Sequence, residues 1–448
     1  MAGEELRERV RGLMPRARAD LERLVAIPSV ADPAQYPPEC CIEAAEYVRD
    51  AAADAGIPDA RLLDMPDGHP AVFGHAPGPE GAPTVLLYCH YDVQPPLGEA
   101  EWESPPFELT ERGGRWYGRG SADCKGNAVA HLTALRALEG EFPCGVKFLA
   151  EGAEEQATGG LESFVPSSGD LLAADAIVIG DAGNCVLGVP TLTTTLRGVA
   201  TVRVEVSTLE GDVHSGMFGG PAPDALVLLT QMLATLHDER GNVTVDGIPA
   251  DGSWAGADYP AERFRADARM LDGVELAGDG TVADMVWARP SVNVLGIDCP
   301  PVVGSTPSLQ ASARARVSMR IPAGIDPGDA QDALAAHLEA RTPLGALVEI
   351  EREGTGAPFA ASTDGPAYRA IAGAMQTAFG AETTTAGQGG SIPLCNVLAD
   401  AFPDAEIVLL GVEEPLCAIH APNESVDPSE IENIALAEAL FLRDFVGR

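Results

Sequence analysis

Hydrophobic positions in this chain are grouped in two ways, and the change from one to the other divides it. Through the first part, short and nearly continuous apolar runs, 84–89 (TVLLYC), 146–149 and 176–179, alternate with stretches of helical period at 127–138 and 161–173. Strands show continuous runs of this kind when both faces of a parallel sheet are covered, so the pattern predicts an α/β unit. A further helical stretch, from 4 to about 30, is punctuated at Ile27-Pro28. Near Thr195 the texture changes: TLRGVATVRVEVST alternates apolar and polar residues, as a strand with one buried face does. A helix at 223–237, strands at 291–297 and 311–321, a helix at 330–341 and a strand at 347–352 complete a two-layer α+β unit. Residues 354–358 read as the crossing back. Helices at 368–379 and 428–445 around a buried strand at 406–410 then resume the first pattern. The expectation is a doubly wound, mostly parallel α/β sheet (1–193 and 357–448) interrupted by an inserted α+β domain (194–356). The acidic, glycine-rich stretch 246–284 reads as irregular loop. A length of 448 residues suits two domains.

Charge narrows the partners. Sixty-seven acids against 29 bases give a net charge of −38, and Lys125 and Lys147 are the only lysines. Such a balance repels phosphate backbones and anionic bilayers, which argues against nucleic acid and membrane as partners. No apolar stretch approaches the roughly twenty residues of a membrane span, and the opening MAGEELRERVRGL carries acids where a signal peptide has none; a cytoplasmic protein is expected. Nine scattered cysteines make no disulfide framework and no C-x-x-C pair, so any metal must be held mainly by histidine and carboxylate.

The strand ends carry unusual residues. His90 and Asp92 follow TVLLYC, Glu151, Glu154 and Glu155 follow VKFLA, Asp181 follows AIVIG, and His420 lies in the loop after EIVLLGV. Functional groups of doubly wound sheets gather beyond the carboxyl ends of the strands. Singly, each residue is explained by solvation or a core hydrogen bond; as a set, two histidines and several carboxylates at buried strand ends point to metal. Residues two apart on an extended chain project to one side, so Asp92 can orient the His90 ring. The adjacent Glu154 and Glu155 diverge, leaving one to bind metal and the other to take a proton, which suits metal-assisted hydrolysis. Rival chemistries lack their marks: there is no G-x-S-x-G elbow, no phosphate-binding or dinucleotide loop and no H-E-x-x-H.

Ten ordered blocks then make the chain resemble a known family. They are HYDVQP (90–95), WESPPF (102–107), YGRGSADCKGN (117–127), EGAEE (151–155), GD (180–181), LRG (196–198), DVHSGMFGG (212–220), SMRIP (318–322), GGSIP (389–393) and HAPNE (420–424). The family is that of the zinc-type peptidases and deacylases, including carnosinase, bacterial dipeptidases, acetylornithine deacetylase and succinyl-diaminopimelate desuccinylase. HYDVQP with VHSGMFGG looks most like the dipeptidase and carnosinase branch. The resemblance implies two divalent metal ions, zinc ahead of manganese or cobalt, bridged by Asp123, with His90 and Asp181 completing one site and Glu155 and His420 the other. It implies Glu154 as the base acting on a water between the metals, Asp92 behind His90, and His214 stabilising the oxyanion. Arg320, with Gly390 and Ser391 of GGSIP, would hold a substrate carboxylate. The inserted domain would be a lid that pairs two subunits into a homodimer, His214 reaching the partner's site.

The function so implied is hydrolysis of dipeptides or short peptides with a free C-terminal carboxylate. An N-acyl-amino-acid deacylase is the alternative, and a non-catalytic, metal-stabilised binding protein the third reading. Two departures stand out: Cys124 where relatives often have Asp, read as a small buried residue rather than a thiolate ligand, and Gly387-Gln388 where many carry Arg-Glu.

Overall fold

The nearly continuous apolar runs form the middle of the larger sheet. In this computed structural model, which describes residues 3–390 and 392–445, its strand order is Arg61–Leu63, Ala71–Ala76, Gly145–Glu151, Thr84–His90, Ala176–Gly180, Glu406–Leu410 and Thr191–Leu196. The four strands from Gly145–Glu151 to Glu406–Leu410 pair in parallel, and the outer strands are antiparallel. The mostly parallel α/β sheet expected from the pattern is therefore present.

Burial explains the sequence pattern. Val85, Leu87, Val146, Phe148, Val178 and Val408 share one cluster with the helices Gly3–Val25, Glu39–Asp54, Lys125–Ala137, Pro366–Phe379 and Pro428–Asp444. Their neighbours Leu86, Tyr88, Leu149, Ile177, Ile179 and Leu409 point the other way and are equally buried. With both faces closed and each such side chain contributing about 1.5–3 kcal/mol, polar groups emerge mainly at the strand ends. Helix Lys125–Ala137 is buried along almost its whole length. Its Lys125 ammonium donates to Leu24 O and Ile27 O, both at 2.8 Å, tying the end of the first helix to the turn that precedes it. Burial pulls the pKa of Lys125 down to about 7.

The structure divides into two units. One takes the chain up to Thr194, Ala361–Ala386 and the chain from Leu394; the other takes Thr195–Ala360 with Gly387–Pro393. The second has an antiparallel sheet in the order Ser291–Asp298, Ser312–Ile321, Gly198–Ser207, Leu347–Gly356. Helices Ala225–Ala234 and Pro327–Ala340 cover one face, where Val202, Val204, Val317 and Met319 meet Leu228, Leu229, Leu334 and Leu338. Asp224 and Asp326 cap the two helices by accepting backbone N–H groups. The other face is polar, with Arg314 paired to Asp298 and Arg316 to Glu353.

Three local expectations change. The helix read at 161–173 is a five-residue helix, Gly160–Phe164, followed by the turns Val165–Ser167 and Gly169–Leu171, because Pro166 and the left-handed Gly169 interrupt it. The stretch read as loop, 246–284, contains the helix Ala261–Asp267 and organises itself around rings: Tyr259 stacks on Trp287 at 5.6 Å and Trp254 meets it edge-on at 5.2 Å. Helix Glu39–Asp54 was not anticipated at all.

Candidate metal centre

Four parallel strands deliver the strand-end residues to one place within the first unit. His90 is the last residue of its strand, Glu154 and Glu155 follow Gly145–Glu151 by a short turn, and Asp181 follows Ala176–Gly180. His420 arrives from the loop beyond Glu406–Leu410, with φ of +60°, and Asp123 from the turn before helix Lys125–Ala137, where the Asp123–Cys124 peptide is cis.

The five side chains form a chain of contacts with Asp123 in the middle. His90 Nε2 lies 3.1 Å from Asp123 Oδ1 and 3.3 Å from Asp181 Oδ1. His420 Nε2 lies 3.0 Å from Asp123 Oδ2 and 3.0 Å from Glu155 Oε2. Each oxygen of one carboxylate thus meets a histidine, and each histidine also meets a second acid. Ligand atoms held about 2.1 Å from a tetrahedral ion stand about 3.4 Å apart, so these separations suit two neighbouring divalent cations. His90 is fully buried and His420 half exposed, which leaves one side of the cluster open to solvent.

Electrostatics says the same. Burial works against charge on His90, yet Cys124, Asp181 and Asp123 lift its pKa well above the usual value. His420 is raised to about 10 by its hydrogen bonds to Asp123 and Glu155. Burial pushes the Asp123 carboxyl up, but hydrogen bonds from His420 and His90 outweigh it and hold the group well below its ordinary range. A cluster that favours protons on two imidazoles this strongly favours cations, and the two compete. Glu154 differs from its neighbour. Burial first, then the Asp181 charge, raise it to about 9, and no hydrogen bond or ion pair reaches its carboxylate among the described residues. Glu155, by contrast, accepts from Gln94 N at 3.1 Å and Gln94 Nε2 at 2.8 Å.

A surrounding layer fixes these groups. Asp92, fully buried, meets His90 Nδ1 with its backbone O at 3.1 Å and with Oδ1 at 3.3 Å, while its two carboxylate oxygens accept the Glu154 and Glu155 backbone N–H groups, each at 3.1 Å. It orients the ring and also aims the turn that separates the two glutamates. Sequence reasoning missed Glu424: its buried carboxylate accepts the N–H groups of Gly120, Ala122 and Asp123 and the guanidinium of Arg119 at 2.7–3.1 Å, so the turn carrying Asp123 is built around it. The only signal was its place at the end of HAPNE. Cys124 lies near His90 and Asp181, but its thiol donates to Gly180 O at 2.9 Å and burial pushes its pKa well above the usual thiol value, which favours a structural thiol.

The remaining predicted residues belong to the second unit. His214 is exposed; its Nδ1 accepts the Gly216 N–H at 3.1 Å, which assigns the proton of the neutral ring to Nε2 and makes that atom a donor. Arg320 is the penultimate residue of Ser312–Ile321. Gly390 is exposed, and Ser391 lies outside the described residues. At Gly387 a Cβ would meet Trp287 Cβ and Cγ at 2.7 Å and Thr195 Oγ1 at 2.8 Å, so the arginine of many relatives has no room here.

A model of peptidase family M20/M25/M40 matches residues 86–444. The chain is 44% identical over 406 residues to the cysteinylglycine-S-conjugate dipeptidase of Corynebacterium striatum, the match covering 89% of each protein. It is 28% identical over 458 residues to the beta-Ala-His dipeptidase of Rattus norvegicus, covering 96% of this chain and 88% of that one. The structure of the di-peptidase Dug1p from Saccharomyces cerevisiae has the same fold, with a TM-score of 0.81 at 22% identity over 98% of both chains. Among the described residues no helix is long and apolar enough to cross a membrane.

Proposed function

The chain belongs to peptidase family M20/M25/M40, and from that membership we propose that it is a metal-dependent dipeptidase, cleaving the peptide bond of substrates with a free C-terminal carboxylate. The observation that carries this reading is Asp123, whose two carboxylate oxygens face His90 and His420, with Asp181 and Glu155 beside them and the unpartnered Glu154 next in sequence. His90, Asp123 and Asp181 would hold one divalent cation, and Asp123, Glu155 and His420 a second. The donor set suits zinc, with manganese or cobalt as alternatives. Bound cations polarise the scissile carbonyl and lower the pKa of water toward about 7.

The chain's own residues do the rest. Glu154 takes the proton of the attacking water and returns it to the leaving amine. Asp92 keeps the His90 ring and the 154–155 turn in register. His214 donates from Nε2 to the oxygen that becomes negative as the carbonyl is attacked. Arg320, with the Gly390-Ser391 turn, holds the carboxylate of the substrate.

Support for dipeptides over acylated amino acids comes from the named relatives, which are dipeptidases. Side-by-side panels of dipeptides and of matched N-acetyl-amino acids, with and without chelator, test the choice. Dipeptides should be cleaved roughly 100-fold or more faster, and chelation should stop turnover. The reverse preference would make the chain a deacylase, and no turnover of either panel with metal present would make it a binding protein.

The reading includes a homodimer through the inserted unit. Ser291–Asp298 is an edge strand, and Val294, Leu295 and Ile297 on it, with Val302 and Val303 just beyond, are exposed. An apolar edge of this kind is a template for a second copy. A solution mass of one chain at micromolar concentration would remove the dimer.

A further inference from the structure

The inserted unit carries two neighbouring guanidinium groups that, among the described residues, no carboxylate answers. Three of its strands meet at one edge of the sheet: Ser291–Asp298 starts there, Ser312–Ile321 ends there with Arg320 next to last, and Gly198–Ser207 begins there directly after Arg197. The register sets Ser291 opposite Arg320 and Arg320 opposite Val199, so Ser291, Arg320 and Arg197 occupy neighbouring strand ends. Arg197 Nη1 donates to Ser291 Oγ at 3.2 Å, and its backbone N–H donates to Gln388 O at 3.2 Å. Its Nη2 lies 3.1 Å from the place a Cβ on Gly389 would take, so the guanidinium lies against the turn that leads into GGSIP. Its Nε is buried and has no acceptor among the described residues.

In a chain with 67 acids and 29 bases, a pair of neighbouring cations without a counter-charge is the exception. Among the described residues neither Arg197 nor Arg320 makes an ion pair. Burial, and then the charge of Arg320, pull Arg197 down to about 10, which leaves it protonated at neutral pH. Two like charges close together and a buried, unmatched N–H are each unfavourable unless an anion joins them. Arginine's planar fork is the group best matched to a carboxylate.

We propose that Arg197 is a second carboxylate-binding residue, which holds the C-terminal carboxylate of the substrate jointly with Arg320 while Ser291 fixes its orientation. The inference rests on the dipeptidase reading and sharpens it: the acid end of the peptide is recognised by two cations, so C-terminal amides are rejected more strongly than one arginine alone would achieve.

The test compares wild type, Arg197→Met and Arg197→Lys on a good dipeptide and on its C-terminal amide, with metal content and melting temperature followed in parallel. Losing a charge-assisted hydrogen bond to a carboxylate should raise KM for the free acid roughly 10- to 100-fold. The KM of the amide should stay where it is and kcat should change far less. Arg197→Lys should recover part of the loss. Equal effects on acid and amide, or an unchanged KM for the acid, would overturn the proposal. A readout independent of turnover uses Trp287, which packs against Gly387 beside this edge: propionate, but not propionamide, should change tryptophan fluorescence in wild type and not in Arg197→Met. If no dipeptide is cleaved, the functional reading falls while this titration still decides whether Arg197 binds carboxylate; no difference between propionate and propionamide in wild type would rule that out.

Discussion

Glu154→Gln should retain its metal and lose its turnover, by roughly 10³-fold or more, the range in which a positioned general base acts. The prediction follows from the contrast between two neighbouring glutamates. Glu155 is engaged on all sides, by Gln94 and by His420. Glu154 is fixed through its backbone, whose N–H goes to Asp92 and whose carbonyl accepts from Ala157, and its half-buried carboxylate has no hydrogen bond among the described residues. Burial and the Asp181 charge raise its pKa to about 9, so it is a group that accepts and keeps a proton readily. Cations held in the adjacent site would draw that value back down, toward the neutral range in which a base works best. Glutamine has the same size and polarity and cannot take a proton, so the fold and the cluster should stay intact. The checks are kcat on a good dipeptide and elemental analysis of the purified variant. An unaffected rate would remove Glu154 from the role of base, and loss of metal would make it a ligand.

Legibility of the sequence followed burial. The runs at 84–89, 146–149, 176–179 and 406–410 were readable because both faces of the sheet are covered, which keeps nearly every position in them apolar. Helix Glu39–Asp54 was not, because the stripe it buries, Cys41, Ala44, Ala45, Val48, Ala51 and Ala52, is made mostly of alanine and gives little contrast with its surroundings. The stretch 246–284 was opaque for a related reason, since Trp254 and Tyr259 within it pack on Trp287 about thirty residues away, contacts that no periodicity reveals. Within the site, residues that meet one another at strand ends stood out by their chemistry. Those that act from behind did not. Glu424 works through backbone N–H groups of a distant turn, and Gln94 through one side chain of the opposite loop, and neither leaves a spacing rule in the sequence.

Asp123→Ala should empty the whole cluster, whereas Asp181→Ala or Glu155→Ala should reduce it to one cation. Asp181 touches only the His90 side and Glu155 only the His420 side, but Asp123 faces both histidines, Oδ1 toward His90 and Oδ2 toward His420. Its removal also leaves His90, Asp181, Glu155 and His420 as two pairs with nothing between them, and a pair of protein ligands holds a divalent ion poorly. On the proposed two-cation mechanism, metal content should therefore drop from about two per chain to near zero, and activity by at least about 10⁴-fold, since the attacking water and the carbonyl would both lose their activation. The turn itself should survive, because Glu424 still receives the N–H groups of Gly120, Ala122 and residue 123, none of which depends on the Asp123 side chain. The thermal gain on adding metal, about 4 kcal/mol at a thousandfold excess over Kd for one site, should disappear with it. Elemental analysis and melting curves with and without added zinc read both effects. A variant that keeps one tightly bound cation would show that Asp123 serves a single site, and the two-cation reading would fail.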